Sequence, residues 1–328
     1  MVERLVANEK VEGSNPFARS IRKIVNNQNF TTKLFQKYIS DIDIRKFKGN
    51  FFYYFFYRFS RLFFNQPLKI KINDLNLFSN HKKNKASYSL LQKCNFFDVS
   101  EVNTIKKLNH NYKLFLIDCG CNFGFYSFYT ASLSKENKVI SIEASSNTLK
   151  EFNENLKINN FKNIKVFNNA VSDRDNQKME FNESNKDWES SLLSSKFKIK
   201  EKNSVNSITI DSILKNTNLD NKLLILKIDV EGFDLNVLDG AKKTIESKAP
   251  FIIIEFSKYI FKNIKFDYKY LSNFLKISNY QIYNKNGDML YVEDILKLLE
   301  KLDKKHDTIG NYYLISNNRK NLVKKIFN

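Results

Sequence analysis

A short apolar run, Leu114-Phe115-Leu116-Ile117, passes straight into Asp118-Cys119-Gly120-Cys121-Asn122-Phe123-Gly124 and then into a second apolar stretch from Phe125 to Leu133. No other feature narrows the fold so far. The first run reads as a buried strand, the glycine-punctuated segment as a tight turn and the second stretch as a helix. Strand, glycine loop and helix form the opening unit of an open α/β sheet, in which ligands sit beyond the carboxyl ends of the strands.

The same rhythm recurs along the chain. Strands are expected at Lys138 to Ile142, Ile164 to Phe167, Leu223 to Ile228, Phe251 to Ile254, Tyr280 to Tyr283 and Tyr312 to Ile315. Helices are expected at Glu101 to Leu108, Asn147 to Ile158, Phe233 to Ile245 and Tyr268 to Ile277. Strands alternating with helices in this way argue for a mostly parallel sheet with both faces covered. A polar stretch from Asp173 to Ser207, which holds Trp188, the single tryptophan, interrupts the rhythm and is read as an excursion over the site.

Ahead of this core, residues 30 to 64 carry a helical pattern, and Pro67 to Ile72 followed by Asn73-Asp74 suggests a lead-in hairpin. Residues 21–100 are therefore assigned to a helical and hairpin lead-in, and 101–328 to the catalytic domain. Residues 1–20 are set aside from fold reasoning. Glu12-Gly13-Ser14-Asn15-Pro16 back-translates to GAG-GGT-TCG-AAT-CCC, which contains the T-arm consensus of a tRNA gene, so this segment is expected to be spurious.

The chain has 328 residues, 42% of them hydrophobic and 14% aromatic, enough for a packed core. Its formal charge of +19 comes from 54 basic against 35 acidic residues. The basic residues are scattered among Asn, Ile and Phe that A/T-rich codons specify, so the charge is read as compositional and a nucleic-acid partner is not expected. Cys94, Cys119 and Cys121 are too few for a disulfide framework, and a reducing cytoplasm is expected. Cys119 and Cys121 lack the spacing and the second pair of a zinc site and are taken as small fillers of a tight loop. No stretch reaches the roughly 18 apolar residues of a membrane span. The aromatic run Phe51 to Phe64 contains Arg58 and Arg61. It is expected to pack on its own domain, with a place in a membrane interface as the alternative reading.

The loop chemistry discriminates between cofactors. Dinucleotide sites use G-x-G-x-x-G to bring a helix N-terminus onto a pyrophosphate, whereas Gly120 and Gly124 are spaced G-x-x-x-G. S-adenosylmethionine has no phosphate but carries ammonium, carboxylate and sulfonium groups, which suit loop amides beside the acid Asp118. Strand two ends at Glu143, 19 residues after Gly124, where an acid accepts ribose hydroxyls. A second set of acids, Lys227-Ile228-Asp229-Val230-Glu231-Gly232, follows the most apolar strand, and Glu255 ends the next.

These blocks together resemble a known family. IDCGCNFGFYS, SIEASSNT, NAVSD at Asn169 to Asp173, TIDSIL at Thr209 to Leu214, LLILKIDVEGFDLNVLDGA and PFIIIEF occur in the order found in the FkbM-type methyltransferases, across roughly residues 65 to 316. Cys121 stands where members often carry Ala. The resemblance implies a class I methyltransferase (Rossmann-like) fold with a seven-stranded, mostly parallel sheet, helices on both faces and the N-terminal extension in front. It also implies S-adenosylmethionine as donor, with Asp118, Gly120, Asn122, Gly124, Glu143 and Ala170 around it. The acceptor implied is a hydroxyl on a sugar, a glycan or a secondary metabolite.

Methyl transfer to a hydroxyl needs in-line placement of the acceptor oxygen and a base for its proton. Asp229 is the first candidate base, then Glu231, then Glu255. The bland alternative is that Asp229 and Glu231 cap a helix N-terminus, worth about 0.3–1 kcal/mol. Lys227 is expected to pair with one of these acids. A divalent cation held by the carboxylates is a lesser reading, and no metal ligand is assigned. His81, His110 and His306 fall outside the motifs, with His306 as a reserve base. The rival functions are RNA ribose methylation and a cofactor-binding module without catalysis. Prolines occur only at Pro16, Pro67 and Pro250, which excludes the Asn/Asp-Pro-Pro-aromatic signature of exocyclic-amine methylation and a Pro-Cys nucleophile.

Overall fold

A computed structural model describes residues 33–61, 67–79, 85–96, 98–184, 199–261, 267–303 and 308–327. Helix α1 covers 33–39, a 3-10 turn follows at Ile44–Phe47, and helix α2 spans Phe51–Arg61. The single helical pattern expected from 30 to 64 is thus divided. The chain is recapped at Asn50, whose Oδ1 accepts the Tyr53 amide at 2.9 Å and starts α2 afresh.

Strands β1 (Leu68–Ile72) and β2 (Leu75–Ser79) form the expected hairpin, with Asn73 left-handed at the turn. The outer edge of β2 does not stay open. Asn155 and Asn159 accept the Phe78 and Asn76 amides at 2.7 and 2.9 Å, and Asn159 also donates to the Asn76 carbonyl. Their spacing of four residues places both on one helical face, a side-chain substitute for a pairing strand.

Helices α3 (Lys85–Lys93) and α4 (Val99–Asn111) lead to β3 (Leu114–Cys119), α5 (Phe125–Leu133), β4 (Lys138–Ile142), α6 (Ser146–Asn159) and β5 (Ile164–Phe167). Then come β6 (Ala170–Val171), β7 (Lys178–Ser184), β8 (Ile199–Ile208), α7 (Ile210–Leu214), β9 (Leu223–Ile228), α8 (Asp234–Asp239), α9 (Lys242–Lys248) and β10 (Phe251–Ser257). The chain closes with α10 (Tyr268–Ser278), β11 (Tyr280–Tyr283), β12 (Met289–Leu290), α11 (Val292–Glu300), β13 (Thr308–Ser316) and α12 (Asn321–Phe327).

The central sheet runs β12-β11-β13-β10-β9-β3-β4-β5, with β5, β4, β3, β9 and β10 parallel and β13 antiparallel to both its neighbours. This sheet has eight strands where seven were expected. The extra one, β12, pairs with β11 over only two residues, too short to leave a periodic signal.

Successive residues of each strand serve opposite layers. Leu114 and Leu116 join one apolar cluster with Phe125, Phe128 and Phe152, while Phe115 and Ile117 join another with Leu235, Val237, Ile245 and Leu271. Helices therefore cover both faces, which explains why every residue of β3 and β9 is buried. The lead-in belongs to the first cluster, since Phe35, Ile39, Ile70 and Leu77 pack in it alongside Leu116, Val139 and Phe251.

Two local expectations are corrected. Within the polar stretch Asp173 to Ser207, β7 and β8 make an antiparallel ribbon, joined by β6 in a three-stranded sheet. The small apolar cluster it forms is Phe181, Val205 and Ala170 with Met179 and Ala144 beside them, which is too little to show as periodicity. Residues 185–198, Trp188 included, lie outside the described residues, as do residues 1–20. The helix expected from Phe233 to Ile245 is two helices. Asp211 breaks it: its amide bonds the Gly240 carbonyl, and its carboxylate accepts the Lys243 and Thr244 amides at 3.1 and 2.8 Å, capping α9.

Candidate active site

Sheet register assembles the site. Cys119 pairs with Ile142 on one side and Ile228 on the other, and Ile228 pairs with Ile254. The next residue on each strand lies one step beyond that row, so Glu143, Gly120, Asp229 and Glu255 stand in line at the carboxyl edge of the sheet. One row back, Ser141, Asp118 and Lys227 are paired neighbours. All three point toward the layer that carries α5.

The loop after β3 folds back on β4, with the Gly120 and Cys121 amides donating to the Ile142 carbonyl at 2.9 and 3.0 Å. Gly120 takes φ 74°, and a Cβ there would lie 2.0 Å from the Asp229 carbonyl oxygen. Gly124 takes φ 94°, and its Cβ would meet the Phe128 and Phe152 rings at 2.4 and 2.6 Å. Beyond the tight turn expected from the sequence, close contact with the protein's own backbone and rings requires glycine at both positions. Cys119 and Cys121 are buried free thiols; Cys121 lies in the loop as expected, whereas Cys119 is the last residue of β3.

Asn122 is also left-handed, at φ 51°, a conformation that asparagine tolerates. Its amide donates to Glu143 Oε2 at 2.9 Å, and the Ser145 amide donates to Oε1 at 2.9 Å. Glu143 thus clamps the loop to the start of α6, with the Ala144 amide acting on the same carboxylate. Burial raises its carboxyl to about 7, against the lowering effect of those amides. Asp118 is 2% exposed and accepts Ser127 Oγ at 2.6 Å; Ser127 also lies 2.7 Å from Ser141 Oγ, which is left as the donor of that pair. Burial moves Asp118 up to about 6. Ala170 is buried against Phe181 and Val205.

The second acid set surrounds a buried lysine. Lys227, 1% exposed, donates to Asp229 Oδ2 at 3.0 Å and lies 5.3 Å from the centre of the Tyr126 ring. The expected pairing is therefore with Asp229. Burial opposes the charge on Lys227, but Asp229, Glu255 and Asp98 outweigh it and hold the ammonium above its ordinary range. Asp229, Glu231 and Glu255 each offer a carboxylate oxygen, all within 4.8 Å of one another. Glu255 is pushed well up, first by burial and then by Asp229 and Glu231. The cation that the fold itself brings to this group is Lys227.

Four groups escaped the sequence reading. Asp234, the first residue of α8, bonds back into the loop before it: it accepts the Val230 and Gly232 amides at 3.2 and 3.0 Å and so holds Glu231 at φ 56°. Burial, with Asp229 nearby, raises Asp234 to about 6. Tyr126 donates to Asp98 Oδ2 at 2.5 Å, beside the lysine. Tyr126 and Ser127 lie within the block GFYS and Asp234 directly follows Asp229-Val230-Glu231-Gly232-Phe233, so proximity to the motifs was their signal. Asp98 sits in no motif. His110 is exposed on α4, and His81 and His306 lie outside the described residues.

Residues 118–301, more than half of the chain, match the family model described as the Methyltransferase FkbM domain. No curated protein matches the chain. Among solved structures, Methyltransferase FkbM from Methylobacillus flagellatus KT is similar at 18% identity and a TM-score of 0.39, over 61% of this chain and 43% of that one. The chain therefore spans less than half the length of that relative. Precorrin-6y C5,15-methyltransferase from Geobacter metallireducens GS-15 is similar at 12% identity and a TM-score of 0.35, over 67% and 87% of the two chains. M. jannaschii TYW2 in complex with AdoMet is similar at 11% and 0.36, over 76% and 84%.

Proposed function

Since the chain belongs to the FkbM methyltransferase family, we propose that it transfers a methyl group from S-adenosylmethionine to a hydroxyl oxygen of a sugar, a glycan or a secondary metabolite. The observation that carries this reading is the row Glu143, Gly120, Asp229 and Glu255, in which a cofactor acid and an acceptor acid flank the same glycine turn.

The donor set fits the cofactor. Glu143 stands at the strand end where its carboxylate can take ribose hydroxyls, and the Gly120, Asn122 and Gly124 amides are already taken by the Ile142 carbonyl, Glu143 and the Cys121 carbonyl, which leaves no amide nest for a phosphate. Asp118, engaged by Ser127, holds the base of the loop, and Ala170 lines the wall beyond it. When bound, S-adenosylmethionine supplies an electrophilic methyl on a sulfonium. Asp229 then takes the proton of the acceptor hydroxyl, and Lys227 holds that carboxylate in place through its 3.0 Å contact. Glu255, whose carboxyl is pushed up by burial and by Asp229, and Glu231 are left to orient a neighbouring hydroxyl.

Calorimetry tests the cofactor half. The protein should bind S-adenosylmethionine or its demethylated product and not NAD, and Glu143→Ala should weaken that binding by about 1–3 kcal/mol through loss of charge-assisted hydrogen bonds. Unchanged affinity in the variant would take Glu143 out of the site.

A pH dependence follows from the same residue. In the free protein Glu143 titrates at about 7; in the complex its ionised form is favoured by two hydroxyl donors and a nearby sulfonium, so its pKa falls. Affinity should rise with pH up to about 7 and level off above, with uptake of cofactor below that point expelling a proton. Binding heats at about pH 6 in buffers of different ionisation enthalpy should report this proton, and Glu143→Ala should abolish it. Equal heats in all buffers for the unaltered protein would contradict the assignment.

A further inference from the structure

Helix α2 is inside out. Its buried side is tyrosine: Tyr53 is fully buried and donates to the Leu91 carbonyl at 2.9 Å, and Tyr57 is buried one turn later. Its outer side is phenylalanine: Phe51, Phe52 and Phe55 are 74%, 67% and 58% exposed. At 100° per residue these three share one face, and exposed Arg58 borders it. Leu34 and Tyr38, four residues apart on α1, and Ile42 after them are exposed as well. Burial of apolar surface is the main driving force of folding, so the more apolar side of a helix facing outward marks a surface that meets something else.

The surrounding charge says what that is. Residues 33–61 hold seven basic residues and two acidic ones. Of the acids, Asp43 is taken by Arg45, which contacts both its oxygens. Lys33, Lys37, Lys46 and Lys48 are exposed, and none has an ion pair with another described residue. Exposed phenylalanines on a short helix, with exposed lysines and an arginine in the same segment of chain, match an anionic bilayer interface, where rings enter the acyl boundary and cations meet headgroups. At 11 residues α2 is about 16 Å long, too short to cross a membrane, and no helix among the described residues is long and apolar enough to do so.

We propose that the outer face of α2, Phe51, Phe52 and Phe55 with its flanking lysines and Arg58, docks the protein on an anionic lipid surface. This does not depend on the methyl-transfer reading, because none of these residues belongs to the candidate site.

Flotation of the full chain with vesicles tests it. The protein should float with vesicles of phosphatidylcholine containing phosphatidylglycerol, and binding should fall several-fold with pure phosphatidylcholine or at high salt. The triple variant F51S/F52S/F55S should bind at least about tenfold more weakly with an unchanged melting temperature, since it removes only exposed rings. A Phe52→Trp variant made together with Trp188→Phe provides a readout that does not need the triple variant to fold. Its emission should shift to the blue with anionic vesicles and be quenched by brominated acyl chains. Absence of flotation at every composition overturns the proposal, and so does undiminished flotation of a folded triple variant. Emission already blue-shifted without lipid and unquenched with it would show that the face is covered by a second copy or by another segment of the chain. A blue shift with polyuridine but not with vesicles would assign the face to RNA. Either result overturns the proposal.

Discussion

Asp229→Asn should lower turnover on a hydroxyl acceptor by about 10²–10⁴, the range typical of a lost general base, while cofactor affinity stays within about threefold. Asparagine keeps the shape of the side chain and an oxygen for the Lys227 ammonium, which lies 3.0 Å away. What it loses is the anionic oxygen that receives the proton. Lys227 then stays buried with its principal countercharge gone, so a modest fall in thermal stability is expected alongside. Labelled methyl transfer to an identified acceptor measures the first quantity and calorimetry the second. Loss of cofactor binding in a folded variant would make Asp229 a cofactor ligand. Unimpaired turnover would move the base to Glu231 or Glu255, whose oxygens lie within the same 4.8 Å group.

Gly120→Ala should be the most damaging single methyl in the site. Alanine at φ 74° costs about 1–2 kcal/mol by itself, and a Cβ at 2.0 Å from the Asp229 carbonyl oxygen cannot remain there. That oxygen is backbone, fixed at the end of β9, so the loop or the strand end must move, and the total cost should reach about 3–5 kcal/mol. For a chain of this size that is a fall in melting temperature of roughly 5–10 °C. Gly310→Ala is the control, since its φ is 88° but nothing lies within 4 Å of the added atom; it should show the backbone cost alone. If the two variants melted together, the contact between the loop and β9 would carry no constraint. Because the displaced residue is Asp229, turnover should fall further in Gly120→Ala than its stability loss explains.

Much of this was present in local sequence. The strand and helix at Lys138 to Ile142 and Phe125 to Leu133 have the bounds that their apolar runs imply, because a buried strand and an apolar helix that opens on a glycine need only neighbours along the chain to be recognised. Asp118, Glu143 and Asp229 could be placed at strand ends for the same reason. Where polar residues form the ribbon of β7 and β8, local pattern is silent, since pairing between strands rather than burial holds them. The break between α8 and α9 depended on Asp211, about 30 residues upstream of the amides it caps.

The sequence by itself determined that this chain builds a mostly parallel α/β sheet with a glycine loop and two sets of acids at its carboxyl edge: hydrophobic runs, turn glycines and strand-end carboxylates act through adjacent residues. Only the tertiary structure decided which acid pairs with the buried lysine, which one bonds back into the loop and which side of α2 faces out. Those outcomes depend on register between strands and on packing between layers. There a row such as Cys119, Ile142, Ile228 and Ile254 joins residues far apart in the chain, and burial, not neighbouring sequence, sets the charge each group can carry.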